Sequence, residues 1–341
     1  MAKGDQGSQH SQAVVSRIVM KRRTLLSSGA ALVAVPAIAR AQAFPDRPLR
    51  FVVPYAAGGS SDTSARIAAE RLTAILGQQV VVENKAGGGT IIGTEFVARS
   101  KPDGYTFLLS PAAAIANAAF GTKTPYDIEK DFAPVISFVE LPMLLAANND
   151  TPYKTMAELI AWSKANPGKP IPYASSGVGA LSHLWGEYIK ARTGMPLEHV
   201  GYRGSADAIK DVIAGHVPLF SDVLVPTATA IRSGRLRGLV VATAKRSELL
   251  PDVPTVAEAG LPGMEGVVPF GITVPVGTPR EVIARLNAAF NEAMKDPATA
   301  KRLGELGFTA VGGAPEVYSA LLAREIPKWK KVIKDSNIPP P

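Results

Sequence analysis

Leu49-Arg50-Phe51-Val52-Val53-Pro54-Tyr55-Ala56-Ala57-Gly58-Gly59-Ser60-Ser61-Asp62 is the stretch whose reading decides the fold. Leu49 to Pro54 is a short apolar run, as a buried strand requires, and Tyr55 to Ser61 is a turn rich in glycine and serine. From Asp62 to Leu76 the apolar residues Ala65, Ile67, Ala68, Leu72, Ile75 and Leu76 recur at helical spacing, and Gly77 is a suitable stop. The unit then repeats: a strand over 79–83, a glycine loop over 84–89, a helix over 91–99 and a strand over 105–110. Strand, loop, helix and strand in alternation predict an α/β fold with a mainly parallel sheet.

The alternation resumes after Thr151. Helices are expected over 156–165, 181–193, 205–214 and 226–233, with strands over 171–175, 197–200, 217–223 and 236–243. Later helices are expected over 279–294, 297–306 and 315–333. The segments 140–151 and 251–276 lack this pattern and read as crossovers between two domains. On that reading the first domain is discontinuous, 44–145 plus 267–341, and 146–266 is inserted as the second. Paired crossovers of this kind form a hinge.

The chain has 341 residues, enough for about two domains. Its 46% hydrophobic content supports a sizeable core, and an aromatic share of 6% argues against a stacking platform for single strands. With no cysteine, disulfide scaffolds, thiolate metal sites and cysteine nucleophiles are excluded. The formal charge of +8 invites a nucleic-acid or membrane reading. Residues 1–43 carry +5 of it, leaving +3 for the rest.

Those 43 residues read as an extended start followed by a cleaved signal peptide. Lys21-Arg22-Arg23 is the positive region, Leu25 to Ile38 the apolar one, and Ala39-Arg40-Ala41 or Ala41-Gln42-Ala43 the small-residue cleavage site. Arg22-Arg23 also fits a twin-arginine signal, so the general and twin-arginine routes both stay open. The expectation is an exported periplasmic protein with no nucleic-acid partner.

Two glycine loops carry the functional expectation. Ala57-Gly58-Gly59-Ser60-Ser61-Asp62 and Ser175-Ser176-Gly177-Val178-Gly179-Ala180 each join a strand to a helix. Free backbone N–H groups at a helix N-terminus, with glycines allowing close approach, suit a carboxylate without any lysine. The competing reading is an ordinary βα turn capped by Asp62 or Ser176. Neither loop matches a nucleotide fingerprint. There is no GxSxG or HExxH motif, the histidines are not at metal-ligand spacing, and no metal or cofactor is implied. His183 lies on the helix after the second loop, and Asp222 at a strand end where α/β clefts open. A periplasmic hydrolase built from Ser176, His183 and Asp222 stands as the alternative.

Read with their flanks, the loops resemble the Bug-type periplasmic solute receptors of tripartite tricarboxylate transporters. The resemblance runs through residues 44–62, Val80 to Gly89, Tyr126-Asp127, Asp131 to Val135, Asn166 to Lys169, Ser175 to Gly179 with His183, Tyr202 to Ser205, and Leu250 to Gly260. It implies a two-domain, Venus-flytrap binding protein with a ligand cleft at the hinge. Such a receptor holds a small organic acid and delivers it to membrane permease subunits, without catalysis and as a monomer. Carried over, Tyr55, Ala57, Gly58, Gly59 and Ser60 would meet the ligand carboxylate from one domain. Ser176, Gly177, Gly179 and His183 would do so from the other. Thr90, Ser110, Tyr202 and Asp222 would meet the distal end. Tyr55 stands where the family commonly has phenylalanine, and Arg203 where it has lysine. A sensor partner of a signalling system would share the same fold.

Overall fold

The computed structural model describes residues 44–341, so the expected export segment, 1–43, lies outside the described residues. The chain begins as read: β1 (Leu49–Val53), α1 (Ser60–Leu76), β2 (Val80–Asn84), α2 (Ile91–Ala98) and β3 (Thr106–Ser110). α3 (Ala112–Phe120) and a long β4 (Phe132–Asn148) follow. Next come α4 (Met156–Ala165), β5 (Ile171–Ser175), α5 (Leu181–Thr193), β6 (Leu197–Gly201) and α6 (Ser205–Ile213). β7 (Leu219–Val223), α7 (Leu224–Arg232), β8 (Leu236–Val241) and β9 (Val267–Pro275) lead to the end. The last elements are α8 (Arg280–Lys295), α9 (Pro297–Glu305), β10 (Thr309–Gly312) and α10 (Pro315–Asp335). No helix among the described residues is long and apolar enough to cross a membrane.

The sheet is mixed rather than mainly parallel. Its order is β2-β1-β3-β9-β4-β7-β5-β6, with β8 and β10 also on β4. The outer pairs β1–β2, β1–β3, β5–β6 and β5–β7 are parallel, as helix crossovers demand. Every pairing of β4 and β9 is antiparallel, because each of these strands returns along the other.

β4 holds the molecule together by changing partners along its length. Residues up to Pro142 pair with β9, and residues from Met143 pair with β7 and, from Leu144, with β8. At the change three backbone bonds close a triangle. Met143 N–H donates to Gly266 O (3.0 Å), Gly266 N–H to Ala242 O (3.0 Å) and Ala242 N–H to Met143 O (2.9 Å). Pro142 sits at the junction, where a missing N–H removes no ladder bond from the flanking Met143.

Each half has its own apolar core. Around β1, β3, α1 and α8, Phe290 meets Phe51, Phe107 and Phe138 edge-on, with centroids 6.1, 5.8 and 5.9 Å apart. Fully burying such a ring is worth about 1.5–3 kcal/mol. Leu144, Phe220, Val212 and Leu236 centre a second core near α6 and α7. A third joins α3, α5 and α10 through Ile115, Trp185 and Trp329. This packing leaves the β–α loops of both halves at the carboxyl ends of their parallel strands, where open α/β sheets bind ligands.

Candidate functional site

The first glycine loop follows β1 and opens α1. Gly58 has φ +86°, a left-handed conformation that glycine adopts without strain, and no heavy atom lies within 4 Å of where its Cβ would be. Ala57, Gly58, Gly59 and Ser60 are all exposed. Asp62, buried in the first turn of α1, holds the loop from beneath. Its carboxylate accepts from Gly58 N–H (2.8 Å), Asn84 Nδ2 (2.9 Å) and Arg66 Nε (3.0 Å). Asn84 Nδ2 also donates to Tyr55 O (3.1 Å), and Arg66 donates to Asn84 Oδ1 (2.9 Å). Burial pushes the Asp62 carboxyl up, but Arg66, the Gly58 N–H and Asn84 together hold it below the usual carboxylate range. Gly58 N–H is therefore committed inward. The donors left facing outward are those of the next residues at the α1 N-terminus.

Three hydroxyls on this half keep their hydrogens free. The half-buried Tyr55 stands edge-on to Phe270 (6.2 Å), its hydroxyl unpartnered among the described residues, and burial raises its pKa. Thr90 closes the loop after β2 with φ +82°, a strained value for a β-branched residue. Its Oγ1 is buried and has no hydrogen-bond partner among the described residues. Ser110, at the end of β3, accepts from Tyr318 Oη (2.9 Å), which leaves its own hydrogen to donate.

The second loop follows β5 and is held by neutral groups. Gly177 N–H donates to Ser175 Oγ (3.2 Å), and Ser175 Oγ lies 2.6 Å from His199 Nε2. Gly179 N–H donates to His183 Nδ1 (3.1 Å). The two imidazoles stack, with centroids 3.6 Å apart and planes 12° from parallel. Burial first, then His199 and Lys190, pushes His183 down to about 3, and burial pushes His199 down to about 4. Both rings are neutral over the ordinary pH range.

Asp222, buried at the end of β7, gathers the neighbouring loops. It accepts from Ser205 Oγ (2.6 Å) and Val223 N–H (2.7 Å). Burial pushes its carboxyl up to about 6 despite those donors. Ser176 Oγ is 2.8 Å from Ser182 Oγ, and Tyr202 Oη donates to Asp211 (2.7 Å).

The expected site residues thus fall on two sets of loops, one on each half, at carboxyl ends of strands. No hydrogen bond joins Ser176 to His183, or His183 to Asp222, among the described residues; each is engaged elsewhere, so these side chains are not arranged as a triad. A cavity of about 580 Å³ lined by Asn117, Tyr126, Asp127 and Asp131 contains none of the expected residues. Sequence reasoning did not find His199, Ser205, Asn84 or Tyr318. His199 and Ser205 could have been raised by their places at the end of β6 and the start of α6, facing the same strand ends. Tyr318 was accessible only as one apolar position on the final helix.

The sequence matches the family described as tripartite tricarboxylate transporter family receptor over residues 64–338. It is 39% identical over 322 residues to a protein encoded in the tcbD–tcbE intergenic region of Pseudomonas sp. strain P51, covering 93% of this chain and 95% of that one. Protein BugT of Bordetella pertussis is 35% identical over 299 residues, covering 87% and 91%. Among solved structures, R. palustris Rpa4515 with adipate aligns at TM-score 0.73 and 34% identity, over 87% of this chain and all of that one. MatC from Rhodopseudomonas palustris with bound malate aligns at TM-score 0.68 and 32% identity, over 85% and 100%.

Proposed function

The chain belongs to the tripartite tricarboxylate transporter receptor family, of Bug type with the two-domain periplasmic-binding-protein architecture, and on that premise we propose that it captures a small carboxylate between its two sets of loops. The observation that carries this reading is the donor set of the first half. Tyr55, Thr90 and Ser110 offer hydroxyl groups at the strand ends of the half that carries the exposed α1 N-terminus, where Arg66 is already bound to Asp62. Such a site recognises an anion through dipoles and hydrogen bonds rather than net charge. The adipate and malate held by its structural neighbours support the ligand class.

Domain boundaries at 145/146 and 266/267 suit this reading, since β4 changes partners nearby and β9 begins at Val267. Closure about those strands would bring Ser176, Gly177, Gly179, His183, Tyr202 and Asp222 toward the ligand, stabilising the closed state by contacts made only there. The loaded receptor, exported to the periplasm and monomeric, would hand its ligand to permease subunits.

A thermal-shift screen over mono-, di- and tricarboxylates, followed by mass spectrometry of the recovered ligand, tests the proposal. A ligand at 100 times its Kd adds about 2.7 kcal/mol of stability and should be recovered unchanged. Formation of a product from it would overturn the receptor reading in favour of a hydrolase. Gly58→Leu should weaken binding by more than about tenfold through blocked approach, whereas Gly58→Ala carries the same backbone strain of about 1–2 kcal/mol without the bulk. Equal affinities for these two variants in calorimetry would remove the first loop from the site.

A further inference from the structure

The residues after α10 run to the second glycine loop. The helix is capped at Ser336, and Asn337 is left-handed at φ +50°. Two backbone bonds close this stop: Asn337 N–H donates to Lys334 O (3.3 Å) and Ile338 N–H to Ile333 O (3.0 Å). That pair of bonds, with an apolar residue just beyond, fixes the direction in which a chain leaves its helix. Ile338 is 8% exposed and packs in the core that holds Leu181 and Leu184 of α5. Pro339, Pro340 and Pro341 follow, all exposed. Three prolines favour an extended run of about 9 Å that has little conformational freedom to lose.

The run arrives against Gly179. Cβ and Cγ of Pro341 lie 2.8 Å, and Cδ 3.2 Å, from the position a β-carbon on Gly179 would take. The proline ring thus fills the space left by the missing side chain. The N–H of Gly179 is turned inward to His183 Nδ1, so what this glycine offers a ligand is its bare Cα face. A proline ring and a ligand carboxylate cannot both occupy that face. Ile338 already completes the core at this end, and the exposed prolines beyond it add little burial.

We propose that residues 339–341 are a strap that competes with the ligand for Gly179, so that capture by the second loop requires the strap to lift. This rests on the receptor reading above and adds a regulation of that same site. The helix stop and the prolines hold the strap on its seat, and the small contact lets a ligand displace it. The apparent affinity is then the intrinsic one multiplied by the fraction of molecules whose strap is lifted.

Calorimetric titration with acetate, malate, adipate and citrate, on the full chain and on one lacking residues 339–341, tests this. Ile338 and the helix stop remain, so the truncated chain should unfold at the same denaturant concentration as the full one. An acid that binds should do so about three- to tenfold more tightly without the strap, the factor for a seat occupied about two-thirds to nine-tenths of the time. Pro339→Gly with Pro340→Gly keeps the Pro341 ring but adds slack, and should give a smaller gain in the same direction. Amide NMR spectra without any acid read the seat itself: the Gly179 signal should move on truncation. An unmoved Gly179 signal, or an affinity that stays the same or falls, overturns the strap alone. Failure of all four acids to bind either chain removes the receptor reading and the strap's role with it.

Discussion

The two glycine loops do one job by different physics. Each must hold a strand-to-helix turn open with its glycines in fixed conformations. The first is pinned by charge: Asp62, Arg66 and Asn84 interlock beneath Gly58 at 2.8–3.0 Å. The second is pinned by neutral groups: Ser175 and the stacked His183–His199 pair receive the Gly177 and Gly179 N–H groups. An ion pair on a buried carboxylate is robust to pH near neutrality but fails when the carboxylate is lost. Neutral imidazoles add no net charge under an anion site, yet they are exposed to acid.

Removing the charged anchor should have the largest effect. Asp62→Ala leaves Gly58 N–H, Asn84 Nδ2 and Arg66 without their acceptor. The expected loss is about 2–3 kcal/mol, that of the hydrogen bonds to a buried charged group, since Arg66, half exposed, regains water. Chemical denaturation measures it, and carboxylate binding should fall with it. A loss below about 0.5 kcal/mol, the level of an ordinary surface change, would show that the loop does not depend on the network.

Acid should reveal the neutral anchor next. The folded pKa values of about 3 for His183 and about 4 for His199 lie below the unfolded value near 6.5. The unfolded chain therefore binds more protons between these limits, so this contribution is complete above pH 6.5 and is lost as pH falls. At pH 5 each ring should cost on the order of 2 kcal/mol relative to pH 7, before the opposing contribution of Asp222. Asp222, raised to about 6, works in the opposite sense and offsets part of the loss below that pH. His199→Gln, which keeps an amide for Ser175 but does not titrate, should flatten the stability profile between pH 7 and 5. A profile as steep as that of wild type would place the acid sensitivity elsewhere.

The difference between the loops was only half legible in the sequence. Strand, glycine turn and helix could be read at both places because each signal is local: apolar runs, a left-handed glycine and 3.6-residue spacing. The anchors are not local. Asn84, at the end of β2, reaches Asp62 on α1, and His199 of β6 meets His183 of α5, at no motif spacing. Tyr318 reaches Ser110 across 208 residues, so helical period alone could mark it only as core. β4 was hidden for a different reason. Pro134 and Pro142 interrupt its pattern, and the strand accommodates them at a register shift and at its change of partners. Residues 140–148 of the expected crossover form the second half of that strand.

Thr90 gives the smallest expected effect and separates stability from function on the donor-bearing half. It pays for a left-handed backbone, at φ +82°, and for a buried hydroxyl with nothing to bond. Thr90→Gly removes both costs and adds back the entropy of a glycine in the unfolded chain. The balance should be a gain in stability of up to about 1 kcal/mol. If the hydroxyl is kept for the ligand carboxylate, affinity should fall by roughly tenfold in the same variant, the value of one hydrogen bond to a charged group. Stability and binding would then move in opposite directions at one residue, the behaviour expected where strain is retained for function. Denaturation and calorimetry on that single variant read both signs. An unchanged affinity would make the orphan hydroxyl a local packing feature and take Thr90 out of the site.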